Sequence, residues 1–224
     1  MYKPNYYEKK EESEQKRLIT NKKYNVVEYR ENMWKRAIPF INIMSLLTRI
    51  LPINIAKKNL EKKRFKAGWY NMAWRYALLK RLGVRFIGNG YRIIQPNVCI
   101  YNPDRLSMGE RITINDNSYI ECSGGVEIGS DVMIGHGVSI LSNSHKFDAL
   151  DIPMNQQGET FDKIVIGSNV WIGAKATILQ GVTINDGAVI GAHSLVNKDV
   201  IKNEVVGGTP IHHLRVREYD ESIF

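Results

Sequence analysis

Between Ile166 and Ile201 an aliphatic residue returns at every sixth position: Ile166, Ile172, Ile178, Ile184, Ile190 and Val196. The second place of the unit is glycine at Gly167, Gly173 and Gly191. The fifth place is small or β-branched: Val170, Ala176, Val182, Ala188, Ser194 and Val200. A helix repeats every 3.6 residues and a strand every 2, so neither produces a sixfold beat. An internal repeat does. Six residues supply one short strand and a turn, and three such units close a triangular coil. The aliphatic side chain points inward and stacks on its equivalents above and below, while the small fifth residue fits the crowded corner. One coil covers its apolar interior only by stacking on others, so the expected architecture is a parallel β-helix.

The beat extends upstream with two slips. Ile94 and Ile100 lead, across two extra residues, to Met108, Ile114 and Ile120; a second slip through Cys122, Ser123, Gly124 and Gly125 leads to Ile128, Ile134 and Ile140. The third interruption is larger: Ile140 and Ile166 lie 26 residues apart, 20 more than one unit. The intervening segment is polar and contains Pro153 and Gly158. A long loop on a rigid repeat scaffold is where function is expected. The chain divides into a basic helical region over 1–90, a β-helix over 91–203 with a protruding loop at 141–165, and a closing segment over 204–224.

Charge separates the two main parts. Residues 1–90 carry 21 Lys and Arg against 7 Asp and Glu, a net of +14, whereas residues 91–224 carry 10 against 16, a net of −6. Residues 1 to about 25 are charged, lack periodicity and read as a mobile or loosely helical arm. In residues 26–52, Phe40, Ile43, Met44, Leu47, Ile50 and Leu51 share a helical face, with Pro39 suited to the first turn and Pro52 to the stop. From about Lys57 to Leu82, Trp69, Met72, Ala73, Tyr76, Leu79 and Leu82 predict a second helix ending near Gly83. Two readings of these helices stand side by side. They form a cap over the open end of the solenoid, or they lie on an anionic membrane through an apolar face flanked by Lys35, Arg36, Lys57, Lys58, Lys62, Lys63 and Arg64. No nucleic-acid-binding motif accompanies the charge, so nucleic acid is not an expected partner. The first residues lack the apolar run of a secretory signal. Two cysteines, Cys99 and Cys122, make no disulfide framework and fit a reducing compartment such as the cytoplasm, or its face of the inner membrane.

Five histidines are available for chemistry: His136, His145, His193, His212 and His213. His136 and His193 fall near turns outside the coil and read as solvated turn residues. His145 stands where the coil breaks, in SNSHKFD. Histidine is the usual general base near neutral pH, and Asp148, or a carboxylate or carbonyl from the next coil, is in position to hold its second ring nitrogen. A surface-loop histidine is the alternative. Zinc requires three or four converging ligands; His136 and His145 are nine residues apart with no further pair, so no metal is expected. No phosphate-binding glycine loop and no nucleophile elbow is present. The chemistry that remains is a single base acting on a bound acceptor.

The residues from about Ile93 to Arg215 resemble the hexapeptide-repeat acyltransferases, whose fold is a left-handed parallel β-helix, here with an α-helical N-terminal extension. The likeness is greatest to the maltose, galactoside and capsular polysaccharide O-acetyltransferases. It is carried by ILSNSHKFD, by IVIGSNVWIGAKATILQGVTINDGAVIGAHSLVNKDV and by VVGGTPIHHLR. The resemblance implies acetyl transfer from acetyl-CoA to a sugar hydroxyl, with His145 as the base. Trp171 matches the tryptophan lining the acceptor and the pantetheine. Ala174 matches the small residue beside the pantetheine arm, and Ala192 holds the equivalent place one unit further on. Lys198 and Arg215 match basic residues near the CoA phosphates, and Pro210 matches the proline that turns the chain after the last coil. Asn197 stands where relatives often have Thr, and His212 where they often have Arg. Glu121 and Asn143 are the acceptor-binding candidates, the two-residue slip leaving the match of Glu121 open. The resemblance also implies a homotrimer with active sites between subunits. Residues 1–90 do not match the short helical start of the sugar acetyltransferases. The acceptor therefore stays open between a cell-surface polysaccharide or its precursor and an antibiotic, serine or amino sugar. A non-catalytic scaffold of a polysaccharide-synthesis complex is the reading from a different class.

Overall fold

Aliphatic side chains at every sixth place do what the repeat predicts. In the computed structural model, which describes residues 26–50, 52, 55 and 69–218, Ile166, Ile172, Ile178, Ile184, Ile190 and Val196 are no more than 1% exposed. Ile114, Ile120, Ile134 and Ile140 upstream are fully buried as well. Fifth-place Val170, Ala176, Val182, Ala188, Ser194 and Val200 join them in the interior. Both slips are absorbed without loss of register.

The strands stack into three sheets. The first face consists of Arg85–Phe86, Leu106–Met108, Val126–Ile128, Ile164–Ile166 and Thr183–Ile184. The second consists of Arg92–Ile94, Ile112–Ile114, Met133–Ile134, Trp171–Ile172, Val189–Ile190, Glu204–Gly207 and His212–Val216. The third consists of Cys99–Tyr101, Tyr119–Glu121, Ser139–Leu141, Thr177–Ile178 and Leu195–Val196. The chain visits the three faces in turn through five coils, and the pairs between coils are parallel. This is a triangular parallel β-helix. Among the described strands of these three sheets, only the last turns back, pairing antiparallel with Glu204–Gly207. The first coil strand begins at Arg85, so the solenoid reaches back before residue 91.

Coil spacing demands glycine at more than one edge: between the first and second faces a Cβ at Gly129 would lie 2.7 Å from the Gly167 carbonyl carbon. Between the second and third faces the backbone of each coil passes almost directly over the next. A Cβ at Gly135 would lie 2.6 Å from the Ala174 nitrogen, and one at Gly173 2.5 Å from the Ala192 nitrogen.

Among the described residues, two helices close the N-terminal end. Helix α1 is Val26–Ile50 and helix α2 is Trp69–Arg81. Leu78, Leu79 and Leu82 enter the β-helix core beside Val84 and Val98, so α2 plugs the first coil. Its other side, Met72 and Ala73, meets Trp34, Ala37 and Ile41 of α1 and Tyr91 and Ile93 of the first coil. Tyr76 stacks on Phe86 at 4.3 Å and takes the edge of Trp34 at 5.3 Å. Gly83, at φ +99°, ends the helix with the Val84 nitrogen donating to the Leu79 carbonyl. Buried Arg92 finishes the cap by donating to the carbonyls of Ile87, Gly88, Gly90 and Gly109.

Helix α1 departs from the sequence reading in two respects. Pro39 lies inside it rather than in its first turn. The side packed on the protein is Trp34, Ala37, Ile41, Met44 and Thr48, whereas Ile43, Leu47 and Ile50 of the expected face point to solvent. The expected N-terminal arm, the start of the second helix before Trp69, and Leu51 lie outside the described residues.

Candidate active site

The long interruption is a built hairpin. Asn143–His145 pairs antiparallel with Glu159–Phe161, placing His145 opposite Glu159. Its base is locked by Ser142, which is buried. The Ser142 hydroxyl donates to the Glu121 carbonyl at 2.8 Å and accepts from the Gly124 nitrogen at 2.9 Å. The Asp162 nitrogen donates to the Ser142 carbonyl at 3.1 Å. The Gln180 amide, one coil on, donates to the Thr160 hydroxyl at 2.9 Å. Toward the tip, Gln157 bridges both backbone groups of Ala149 and the Ile152 carbonyl.

This frame carries His145 into solvent, with its side chain 71% exposed and Nδ1 3.9 Å from the Glu159 carboxylate. The facing carboxylate comes from the returning strand, not from Asp148 or the next coil as the spacing suggested. Glu159 was missed because only the hairpin register puts it there.

Glu121 is buried beneath the hairpin. Its Oε1 accepts from the Asn102 amide at 3.1 Å, the Ser123 nitrogen at 2.9 Å and the Ser123 hydroxyl at 2.5 Å. These contacts hold the edge between the third and first faces. Asn143 opens the hairpin two residues before His145. Asn197 and Lys198 follow the last strand of the third face and stand exposed at the same edge, on the fifth coil. That edge therefore gathers Glu121, Asn143, His145, Asn197 and Lys198.

The other candidates lie elsewhere. On the second face Met133, Trp171, Val189, Val205 and Arg215 are in register, one per strand. Met133 and Trp171 are about half exposed, at 47% and 52%. The column is an apolar strip that ends in a guanidinium. At the neighbouring edge Ala174 and Ala192 occupy consecutive coils, the His193 nitrogen donating to the Ala174 carbonyl at 2.9 Å. Small side chains there leave backbone groups open to an approaching ligand.

In a triangular prism the edge between the third and first faces is opposite the second face. The His145 group and the Trp171 group thus occupy opposite sides of one chain. The loop between them exposes Phe147, Leu150, Ile152, Met154 and Phe161. Four of them, Phe147, Leu150, Ile152 and Met154, stand in KFDALDIPM, and Phe161 follows on the returning strand, all within a segment that reads as polar overall.

The remaining titratable groups are peripheral. His136 and His193 are exposed at turns, and His213 Nδ1 sits 2.9 Å from Glu204. Burial, with Glu121 and Asp104 adding to it, pushes the Cys122 thiol up to about 12. Among the described residues no group of three His, Cys, Asp or Glu converges as a metal site would require.

Comparison with known proteins agrees with the fold. Residues 163–198 match the bacterial transferase hexapeptide (six repeats) family. WcaF of Escherichia coli K12, named as a colanic acid biosynthesis acetyltransferase, is 31% identical over 144 residues, 64% of this chain and 75% of that protein. The galactoside O-acetyltransferase of the same organism is 34% identical over 123 residues, 54% of this chain and 59% of that protein. The hexapeptide-repeat acetyltransferase VCA0836 of Vibrio cholerae, solved with acetyl coenzyme A, superposes with a TM-score of 0.64 at 30% identity, covering 75% of this chain and 86% of that one. The chain belongs to the hexapeptide-repeat transferase family. It spans about half the length of several of the curated relatives it matches.

Proposed function

We propose that this protein is an acetyl-CoA-dependent O-acetyltransferase acting on a saccharide hydroxyl, assembled as a cytoplasmic homotrimer. The observation that carries the reading is the division of the candidate residues between opposite sides of the prism. Neither half is a complete site alone. Side by side, the hairpin edge of one protomer and the second face of the next make one groove with His145 on one wall and Trp171 on the other. The apolar residues exposed on the hairpin loop suit contact with such a neighbour.

In this groove the pantetheine lies along Met133, Trp171 and Val189, beside Ala174 and Ala192. Arg215, Lys198 and Asn197 meet the CoA phosphates. Asn143 binds the acceptor from the hairpin side, while the buried Glu121, expected as its partner, holds the edge beneath. His145 takes the proton from the acceptor hydroxyl as its oxygen attacks the thioester carbonyl carbon. The tetrahedral oxyanion is stabilised by backbone N–H groups. It collapses with cleavage of the carbon–sulfur bond, and the proton held by His145 passes to the CoA thiolate. The products are the acetyl ester and CoA. The names of WcaF and of the galactoside O-acetyltransferase support a carbohydrate acceptor. The basic N-terminal region supports an acceptor that is anionic, polymeric or held at the inner face of a membrane.

The test is release of CoA thiol from acetyl-CoA across a panel of galactosides, acidic oligosaccharides, lipid-linked saccharides and antibiotics, with mass analysis of products. Turnover of a saccharide that gains one acetyl ester is expected. Turnover of an antibiotic alone would replace the acceptor, and failure to bind CoA would overturn the enzyme reading in favour of a scaffold.

A further inference from the structure

The second half of α1 is apolar on two sides. Trp34, Ala37, Ile41, Met44 and Thr48 form the side packed on the protein. Ile43, Leu46, Leu47 and Ile50 recur at i, i+3, i+4 and i+7 on the other and are 53%, 63%, 48% and 80% exposed. A helix that is apolar all round is normally buried all round. Four large aliphatic residues in one open stripe therefore require cover from outside the described fold.

Charge identifies the cover. Helical spacing puts Arg36 two turns before Ile43 on the same side, with Lys35 and Arg49 along one border of the stripe. Helix α1 carries four Lys and Arg against two acids, Glu28 and Glu31, and the sequence from 51 to 68 adds six against one, Glu61. Apolar partners of protein would suit the stripe but gain nothing from that excess, whereas anionic headgroups neutralise it at about 1 kcal/mol per basic residue. No helix among the described residues is long and apolar enough to cross a membrane. An apolar stripe bordered by cations on such a helix matches an element lying in the plane of the interface.

We propose that α1 docks the protein on an anionic lipid surface, with Ile43, Leu46, Leu47 and Ile50 entering the acyl boundary and Lys35, Arg36 and Arg49 meeting headgroup phosphates. This takes up the membrane element of the function proposed above, and its outcome is independent of the chemistry. It also gives the acceptor a location. The His145 hairpin leaves two coils beyond the coil on which α1 packs, about 10 Å along the prism at strand spacing. A saccharide carried on a lipid anchor lies within that reach.

Flotation of the full chain with vesicles of phosphatidylglycerol and phosphatidylcholine, and with phosphatidylcholine alone, tests the proposal. At least a tenfold greater bound fraction is expected on the anionic vesicles, falling severalfold in 0.5 M salt. Leu46→Gln/Ile50→Gln should lose tenfold or more of that binding while keeping its molar mass, melting temperature and CoA binding. Equal flotation of the variant, or none of the wild type, overturns the proposal. A lower molar mass for the variant would instead assign the stripe to contact between copies, and a lower melting temperature would assign it to cover by the chain itself. Either result also overturns lipid docking, and none of these readouts depends on acetyl transfer.

Discussion

His145 and Glu159 face each other across a two-stranded hairpin, with Nδ1 3.9 Å from the carboxylate and both side chains open to water. That separation exceeds a hydrogen bond, and catalytic contacts of this kind often close only when substrate arrives. In the proposed mechanism Glu159 positions the ring. His145→Ala should lower kcat by about 10²- to 10⁴-fold, the usual worth of a general base. Glu159→Gln should lower kcat several-fold with little change in KM for acetyl-CoA. In the His145→Ala background, Glu159→Gln should have no further effect, since the group it orients is gone. Steady-state kinetics of the four proteins checks the cycle. A full additional loss in the double variant would mean that Glu159 acts directly on substrate.

The opposed placement of His145 and Trp171 predicts complementation between chains. His145→Ala retains an intact Trp171 wall, and Trp171→Ala retains an intact base. If each site uses the hairpin of one protomer and the second face of another, co-expression of the two inactive chains restores wild-type sites at some interfaces. Activity of the mixed protein should exceed the sum of the separate variants by tenfold or more. Its absence in purified mixed oligomers would place each site within one chain.

Cys122 provides a prediction that depends only on the fold. It is fully buried, and burial raises its thiol from the ordinary 9.0 to about 12. The native state therefore holds this proton where the unfolded chain releases it. The contribution to stability is complete below pH 9 and declines as pH rises from there toward 12. Urea midpoints should fall across that window, and Cys122→Ala should flatten the decline. Aromatic disulfide reagents should titrate Cys99, which is partly exposed, in native protein and both thiols in urea.

The coil was legible because its physics is local and repeated. Every inward position needs an aliphatic residue, so Ile94, Met108, Ile128 and Ile166 could be assigned through slips and a long insertion. The position of His145 at the break was legible for the same reason. Helix α1 was less so. With Trp34, Ala37 and Ile41 on one side and Ile43, Leu47 and Ile50 on another, periodicity finds a helix but cannot choose which side meets the core. Glu159 was illegible because its place opposite His145 follows from hairpin register, fourteen residues away in sequence. The separation of Trp171 from His145 likewise depends on which face each strand occupies, which no local pattern encodes.

Gly173 tests how closely the fold and the proposed CoA wall depend on each other. A Cβ there would lie 2.5 Å from the Ala192 nitrogen and 2.8 Å from the Ile190 carbonyl oxygen, both backbone atoms of the next coil. Those atoms cannot rotate aside, so Gly173→Ala must push the coils apart at the edge that carries Ala174 and Ala192. The overpacking should cost about 1–3 kcal/mol. Gly191 makes the control: a Cβ there finds its nearest neighbour at 3.3 Å, and Gly191→Ala should cost less than about 1 kcal/mol. Displacing Ala174 from Ala192 also disturbs the surface assigned to pantetheine while leaving the hairpin of His145 untouched. Gly173→Ala should accordingly raise KM for acetyl-CoA at least fivefold and leave kcat within about twofold. Denaturant titration and initial-rate measurements on the two variants decide the matter, and a fall in kcat at unchanged KM would remove this edge from the donor site.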